Sequence, residues 1–275
     1  MLQLRMTFWI SLVVVIAAIA LADWLPRFRL KRAAQARFPE HFTHILENDI
    51  PIYSRLPVEL QRQLQQLIKQ FLFQKNFYGC AGLEITDQMR VTIAGQACLL
   101  LLNRKTRVYP ELRSVLVYPS VFVVPTTELA PGGVVTYSEQ DLLGESWGDG
   151  QVVLAWDHVQ QGAQNFTDGH NVVLHEFAHQ LDEESGITNG APPLGSQADY
   201  QRWAAVFTRE FAQLQSDTLH HHQTLLDEYG ATDPAEFFAV ATETFFEMPA
   251  LMAEHHPELF GELKKYYRVD PRDWL

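Results

Sequence analysis

Cysteine is scarce in this sequence of 275 residues, which has only Cys80 and Cys98. Two cysteines cannot form a disulfide framework. Without a Cys-x-x-Cys spacing they are interpreted as buried apolar residues in a reducing compartment rather than as metal ligands. Glycine and proline are also few, at 15 and 14 residues, which excludes collagen-like and low-complexity chains. The apolar fraction of 47% is ordinary for a folded protein, so a sizeable hydrophobic core is expected.

Basic charge is scarce after residue 37. The first 37 residues contain six of the 21 Lys and Arg and one of the 33 Asp and Glu, a net charge of +5, so the remainder carries −17. A body this acidic repels the phosphate backbone of DNA and RNA. General nucleic-acid binding is therefore excluded as the function.

Long apolar runs are absent apart from one near the N-terminus. Every residue from Phe8 to Ala22 except Ser11 is apolar, and with its flanking residues the run approaches the roughly 17 residues that a membrane-spanning helix needs. Basic residues follow the run, within residues 27–32, and such residues are retained on the cytoplasmic side of a membrane. The pattern predicts an uncleaved, single-pass anchor in the inner (cytoplasmic) membrane, with the rest of the chain facing the cytoplasm.

These features divide the chain into three predicted parts. Residues 1–25 form the N-terminal membrane anchor, residues 26–50 form a basic linker beside the lipid surface, and residues 51–275 form the folded domain. The alternative for the first part is a secretory signal that is cleaved after small residues such as Ala20 and Ala22, which would give a secreted protein.

The pattern of apolar residues in the body predicts helices, then a small mixed sheet, then helices, which is a mainly helical α+β architecture. Apolar residues at helical spacing, or short runs of β-branched residues, mark the individual elements, and residues 144–150 are predicted as a turn. Helices are predicted over residues 57–77, 87–102, 169–182, 200–214, 234–247 and 258–267, and strands over residues 114–118, 121–124, 134–137 and 152–156.

Residues 171–182 read NVVLHEFAHQLD and contain the pattern H-E-x-x-H at His175, Glu176 and His179. On a helix, positions i and i+4 lie on one face, so both imidazoles can reach one metal ion and the glutamate can reach a water on that ion. The neighbouring residues are mostly apolar, so these three side chains would be buried without partners unless a metal binds them. The alternative is a pair of core histidines bonded to backbone carbonyls. The pattern predicts a site for one zinc ion.

A catalytic zinc ion needs a third protein ligand and one position open to water. The segment DPAEFFAVATETFFE offers Glu236 and Glu243, which lie nearly on the same face of a helix. Glu236 has a competing structural explanation, since Asp233, Pro234 and Glu236 fit a helix cap, a first-turn proline and a capping box. The spacing alone does not choose between the two glutamates.

Two further polar residues flank the motif. Asp182, three residues after His179, has the spacing of a residue that orients an imidazole from behind the metal ligands. Asn171 lies at the start of the motif helix, where its side chain is expected to cap the helix or to support the site.

The segments HEFAHQLD, TNGAP and DEYGATDPAEFFAVATETFF resemble the Mlc titration factor A family of zinc metallopeptidases, whose catalytic core is similar to that of lethal-factor-type proteases. The resemblance continues upstream through LPVELQRQLQQLIKQFLFQKNFYGCAG and covers roughly residues 51–267. It implies that His175, His179 and Glu236 bind one zinc ion. It also implies that Glu176 is the catalytic glutamate and that Tyr229 is a catalytic tyrosine.

These features together predict a zinc-dependent peptidase, with aminopeptidase and endopeptidase activity both open. Glu176 would accept a proton from the zinc-bound water, and Tyr229 would stabilise the oxyanion. The strand at residues 152–156 is expected to present an edge to a peptide or protein substrate. Two other functions remain open: a hydrolase of non-peptide amides, and a regulatory protein whose zinc organises a surface that sequesters a transcriptional repressor or another protein regulator.

Overall fold

The fold is taken from a computed structural model, which describes residues 36–104, 106–120 and 150–274 together with the backbone of three strands between residues 122 and 147. Before residue 36 it describes only a few isolated positions. The predicted membrane anchor, residues 1–25, therefore lies outside the described residues apart from those positions. Among the residues that are described, no helix is both long and apolar enough to cross a membrane.

Helices form the first part of the described chain: α1 (Glu40–Asp49), α2 (Pro51–Arg55), α3 (Val58–Gln74) and α4 (Asp87–Leu99). Helices α3 and α4 confirm two predicted helices, although each ends about three residues earlier than predicted. Helix α1 lies inside the range 26–50 that the sequence predicts as a linker. It packs on α4 at Gly95, where a Cβ would lie 2.9 Å from Cδ2 of Leu46, and Leu46 is fully buried. The folded body thus begins before residue 51.

The strands are β1 (Asn76–Gly79), β2 (Ser114–Tyr118), β3 (Phe122–Ala130), β4 (Val134–Leu142), β5 (Gly144–Trp147) and β6 (Gln151–Ala155). One sheet has the order β1-β2-β6-β5, in which the first three strands are parallel and β5 is antiparallel. The small mixed sheet and the α+β class are therefore confirmed. Strands β3 and β4 form a separate antiparallel pair.

Two sequence-based expectations about the sheet are wrong. The turn predicted at residues 144–150 contains strand β5, because pairing of Gly144 with Leu154 and of Trp147 with Gln151 outweighs the local glycine signal. Strand β6 is not an edge, since it is paired with β2 on one side and β5 on the other. The edges of this sheet are β1 and β5.

The second helical part comprises α5 (Trp156–Gln164), α6 (Val172–Glu183), α7 (Gln197–Leu219), α8 (Pro234–Glu247), α9 (Pro249–His255) and α10 (Pro257–Tyr267). A short 3-10 turn, Glu228–Ala231, precedes α8. Helix α6 packs against α8 on one side and against β5 and β6 on the other. Phe177 anchors α6 in the core, with its ring centroid 5.6 Å from that of Phe71 and 4.8 Å from that of Tyr109.

Candidate metal centre

Helix α6 presents the H-E-x-x-H residues because its start and its apolar face are both fixed. Asn171 caps the helix, accepting hydrogen bonds at Oδ1 from the N–H groups of Val173 and Leu174, each at 3.1 Å. The apolar residues of the helix are buried, as the sequence predicts: Val173, Leu174, Phe177, Ala178 and Leu181. Burial of this face turns the motif residues toward α8.

Helix α8 brings the third acidic side chain to the site. Asp233 caps this helix, since its Oδ1 accepts hydrogen bonds from Ala235 N at 2.8 Å and Glu236 N at 3.1 Å, and Pro234 occupies the first turn. The side chain of Glu236 extends toward the histidines, where its Oε2 lies 2.9 Å from Nε2 of His175. The capping explanation is therefore correct for Asp233, while the Glu236 carboxylate faces the motif.

Three side-chain atoms converge on one point: Nε2 of His175, Nε2 of His179 and Oε2 of Glu236. The two nitrogens are 3.2 Å apart, and Glu236 Oε2 lies 2.9 and 3.4 Å from them. Ligands held about 2.0–2.1 Å from a tetrahedral metal ion are separated by about 3.3 Å, so the observed spacings fit such an ion. Within the described part of the chain, these three residues form a group that could hold a metal ion.

Glu243, the other candidate for the third ligand, contacts the far side of the same imidazole. Its Oε1 lies 2.7 Å from Nδ1 of His175, whereas Glu236 faces Nε2. The two glutamates therefore contact opposite nitrogens of the His175 imidazole. This geometry supports Glu236 as the third ligand and gives Glu243 a different task.

Several buried or half-buried carboxylates surround the two histidines of the site. Burial raises the pKa of Glu236, but hydrogen bonds and charge from His175 and His179 outweigh burial and lower the pKa to about 2. Burial lowers the pKa of His175, yet the carboxylates of Glu243 and Glu236 raise it well above its ordinary value. Three glutamates, Glu176, Glu236 and Glu243, lie around the two imidazoles. The cluster therefore attracts positive charge, which a metal ion or added protons can supply.

Glu176 has the environment that a general base requires. Its side chain is 4% exposed, and its Oε2 is buried with no hydrogen-bond partner among the described residues. Burial raises the pKa of this carboxyl group to about 7, with opposing contributions from the two histidines. A carboxyl group of this pKa can accept and return a proton near neutral pH. The unpartnered oxygen of Glu176 also fits a metal site, in addition to the spacing of the three converging atoms. A water bound to the metal would be a donor for this oxygen.

Tyr229 lies beside the three converging atoms. It belongs to the 3-10 turn that Asp227 caps, with Asp227 Oδ1 accepting a hydrogen bond from Tyr229 N at 2.7 Å. Its ring centroid is 5.9 Å from that of His175, and the side chain is 54% exposed. Burial, followed by the charges of Glu236 and Glu176, raises its pKa to about 12. The hydroxyl is thus a protonated donor on a partly exposed side chain close to His175.

Asp182 joins the end of α6 to the loop that follows. Its Oδ2 accepts hydrogen bonds from Asn189 N at 2.8 Å and Gly190 N at 2.6 Å. Its Oδ1 and Nδ1 of His179 are both buried and have no hydrogen-bond partner among the described residues. The role of Asp182 in orienting an imidazole therefore stays a prediction, while its role in holding the loop is observed.

The sequence reasoning missed the buried polar network behind the site. Glu247 is 2% exposed and accepts hydrogen bonds from Gly169 N at 2.9 Å and from Nδ2 of Asn171 at 3.0 Å. Gln96 Oε1 accepts a hydrogen bond from the same Nδ2 at 2.9 Å. A signal for Glu247 was present, because Glu243 and Glu247 are spaced i, i+4 and therefore lie on one face of a helix that is mostly apolar.

Known proteins resemble this chain over most of its length. The family described as glucose-regulated metallo-peptidase M90 matches residues 25–268. A Synechocystis sp. protein of uncharacterized function is 42% identical over 250 residues, which cover 90% of each chain. Mlc titration factor A of Klebsiella pneumoniae is 34% identical over 224 residues, 81% of this chain and 84% of that protein. The protein of the same name from Serratia proteamaculans is 33% identical over 225 residues, 81% of this chain and 85% of that one. The chain therefore belongs to the Mlc titration factor A family of M90 metallopeptidases.

Proposed function

We propose that this protein is a zinc-dependent peptidase in which His175, His179 and Glu236 hold one zinc ion and Glu176 is the general base. The observation that carries the proposal is the buried Glu176 carboxylate, which has an unpartnered oxygen and lies close enough to His175, His179 and Glu236 for their charges to influence its pKa. A site that served only to bind a metal would have no need for a fourth polar group with a pKa near neutrality. The family assignment supports metallopeptidase chemistry.

Each residue then has a distinct task in hydrolysis. A bound zinc ion supplies Lewis acidity, which lowers the pKa of a coordinated water and polarises a carbonyl group. Glu176 takes the proton of the attacking water and returns it to the leaving amine. Tyr229 donates its hydroxyl hydrogen toward the oxygen that gains charge, which is possible because its raised pKa keeps it protonated. The edge strand β5 packs on α6, so a peptide substrate can bind beside the site by strand addition.

A binding function is the second candidate. The relatives are named for titration of Mlc, and a related interaction with a protein regulator is the form this function would take here. The geometry favours hydrolysis, because sequestration of a partner does not require a general base. Both functions can reside in one protein.

Replacement of Glu176 by Gln tests the proposal. Because Gln cannot accept the proton, we expect zinc content to stay at the wild-type level while hydrolysis falls by about 10² or more. The measurement combines metal analysis with cleavage of casein and of a panel of amino-acid p-nitroanilides, with and without a chelator. His175→Ala serves as the matched control and should lose both zinc and activity. Full activity in Glu176→Gln would refute the assignment, and bound zinc without any turnover in the wild type would favour the binding function.

A further inference from the structure

The imidazole of His175 is held from behind by Glu243. The distance from Glu243 Oε1 to His175 Nδ1 is 2.7 Å, and both side chains are nearly buried, at 8% and 13% exposure. The other oxygen of the carboxylate, Oε2, accepts a hydrogen bond from Asn171 N at 2.5 Å. Both oxygens of Glu243 are therefore occupied by N–H groups of the segment that carries the motif.

This contact determines which nitrogen of His175 keeps its hydrogen when the imidazole is neutral, as it must be to bind a metal. An ionised carboxylate only accepts hydrogen bonds, so Nδ1 of His175 must be the donor. In a neutral imidazole the other nitrogen, Nε2, then has a free electron pair. Nε2 is the nitrogen that faces Glu236 and His179. Glu243 thus selects the form of His175 that can bind a metal through Nε2.

Glu243 is itself held by a second layer of contacts around Asn171. Nδ2 of Asn171 lies 3.0 Å from Gly162 O, 3.0 Å from Glu247 Oε1 and 2.9 Å from Gln96 Oε1, and its two hydrogens are shared among these three acceptors. Asn171 also caps α6 through Oδ1, so one residue connects the start of the motif helix to the end of α8. Because Asn171 is 1% exposed, movement of Glu243 away from His175 would break buried hydrogen bonds.

The second histidine of the motif lacks an equivalent support. Nδ1 of His179 is buried and has no hydrogen-bond partner within the described part of the chain. The two histidines are therefore unequal: a carboxylate supports the ring of His175 from behind through Nδ1, and no such hydrogen bond supports His179 among the described residues. Loss of the Glu243 contact should affect the supported ligand and weaken metal binding directly.

We propose that Glu243 is a positioning residue of the metal centre, which fixes the tautomer and ring orientation of His175 through Nδ1 while Asn171 holds the carboxylate in place. The proposal rests on the proposed zinc site. Removal of such a supporting carboxylate commonly lowers metal affinity by about 10- to 100-fold.

The test compares Glu243→Ala with Thr242→Val in the full chain. Thr242 is buried on the same helix, but its hydroxyl bonds to Tyr267 at 2.8 Å, so its replacement removes a buried hydrogen bond away from the motif. Zinc affinity is measured by competition with a chromophoric chelator. The visible absorption of the Co²⁺-loaded protein reports the geometry of the ligands. Thermal unfolding of the metal-free variants reports stability.

We expect Glu243→Ala to weaken zinc binding by about 10- to 100-fold and to change the Co²⁺ spectrum. Thr242→Val should lower stability while leaving both metal readouts as in the wild type. Wild-type zinc affinity in Glu243→Ala would overturn the proposal, and so would equal weakening in Thr242→Val, because general destabilisation would then explain the loss.

Glu243→Gln covers the case in which the alanine variant does not fold. His175 Nδ1 and Asn171 N bond to different oxygens of Glu243, and in glutamine an NH2 group, which can only donate, replaces one of them, so zinc affinity should again fall. Wild-type affinity in this variant would also overturn the proposal. If the wild type binds no zinc, the proposed function itself fails. If the wild type binds zinc but hydrolyses nothing, peptidase activity fails while the role of Glu243 is still tested.

Discussion

Replacement of Gly190 by Ala should disturb the metal centre from a loop that contains none of the proposed ligands. Gly190 has a φ of +76°, and a Cβ at this position would lie 2.8 Å from the carbonyl carbon of Pro234 and overlap its oxygen. Pro234 begins α8, and Glu236 follows two residues later. The loop and the helix that carries Glu236 are thus in direct backbone contact, and alanine would force them apart.

Two contributions set the size of the effect. An L-residue in the left-handed region costs about 1 kcal/mol. Displacement of packed backbone costs about 1–3 kcal/mol more. The loop cannot easily move away, because Gly190 N donates to Asp182 at 2.6 Å and Gly190 O accepts a hydrogen bond from Trp203 Nε1 at 2.9 Å. We therefore expect the free energy of unfolding to fall by about 2–4 kcal/mol and zinc affinity to fall with it.

Gly186→Ala is the matched control. Gly186 has a φ of +84°, but the position that a Cβ would take has nothing within 4 Å among the described residues. Its replacement should cost only the backbone term of about 1 kcal/mol and leave zinc binding unchanged. Urea denaturation of the metal-free variants and zinc competition measure the two effects. The reasoning is refuted if the two alanine variants lose the same stability, because contact with Pro234 would then have no energetic consequence.

Two other predictions concern buried carboxylates. Asp182→Ala removes the acceptor of the Asn189 and Gly190 N–H groups, so we expect the free energy of unfolding, measured by urea denaturation, to fall by about 2 kcal/mol. A decrease below about 0.5 kcal/mol would contradict the role of Asp182 in holding the loop. Glu247 has a pKa raised by burial to about 9, so the folded chain holds this proton more tightly than the unfolded chain, and stability should fall as pH rises from about 5 to 9. Between pH 5.5 and 8 the free energy of unfolding should fall by an amount on the order of 3 kcal/mol because of Glu247. The Glu247→Gln variant cannot titrate at this position and should lack this decrease. If urea denaturation of the two metal-free proteins shows the same pH dependence, the prediction is wrong.

The sequence predicts well those features of the site that depend on local geometry. The spacing of His175 and His179 fixes their common face on any helix, and the caps at Asn171 and Asp233 follow from the first turn of each helix. Glu236 and Glu243 could not be separated in this way. They are seven residues apart, about 10 Å along a helix, and which one reaches Nε2 of His175 depends on how α8 crosses α6.

The same limit explains two elements that the sequence did not reveal. Strand β5 begins at a glycine and depends on pairing with β6. Helix α5 contains Gly162, which locally disfavours a helix. In the fold Gly162 lies against Asn171, where a Cβ would be 2.9 Å from Cγ of that residue. The close contact with Asn171 therefore requires a glycine at position 162, although glycine lowers the helix propensity of this segment.

The candidate metal centre lies between two attachments that join α6 to α8 at both ends. At the start of α6, Asn171 bonds to Glu243 and Glu247 near the end of α8. At the end of α6, Asp182 holds the loop whose Gly190 packs against Pro234 at the start of α8. The two helices therefore run antiparallel, and neither can slide along the other without breaking buried hydrogen bonds. This arrangement accounts for the separations of 2.9–3.4 Å among Nε2 of His175, Nε2 of His179 and Oε2 of Glu236. Because buried hydrogen bonds hold both helices, a metal ion that binds here would have little ordering of its ligands to offset.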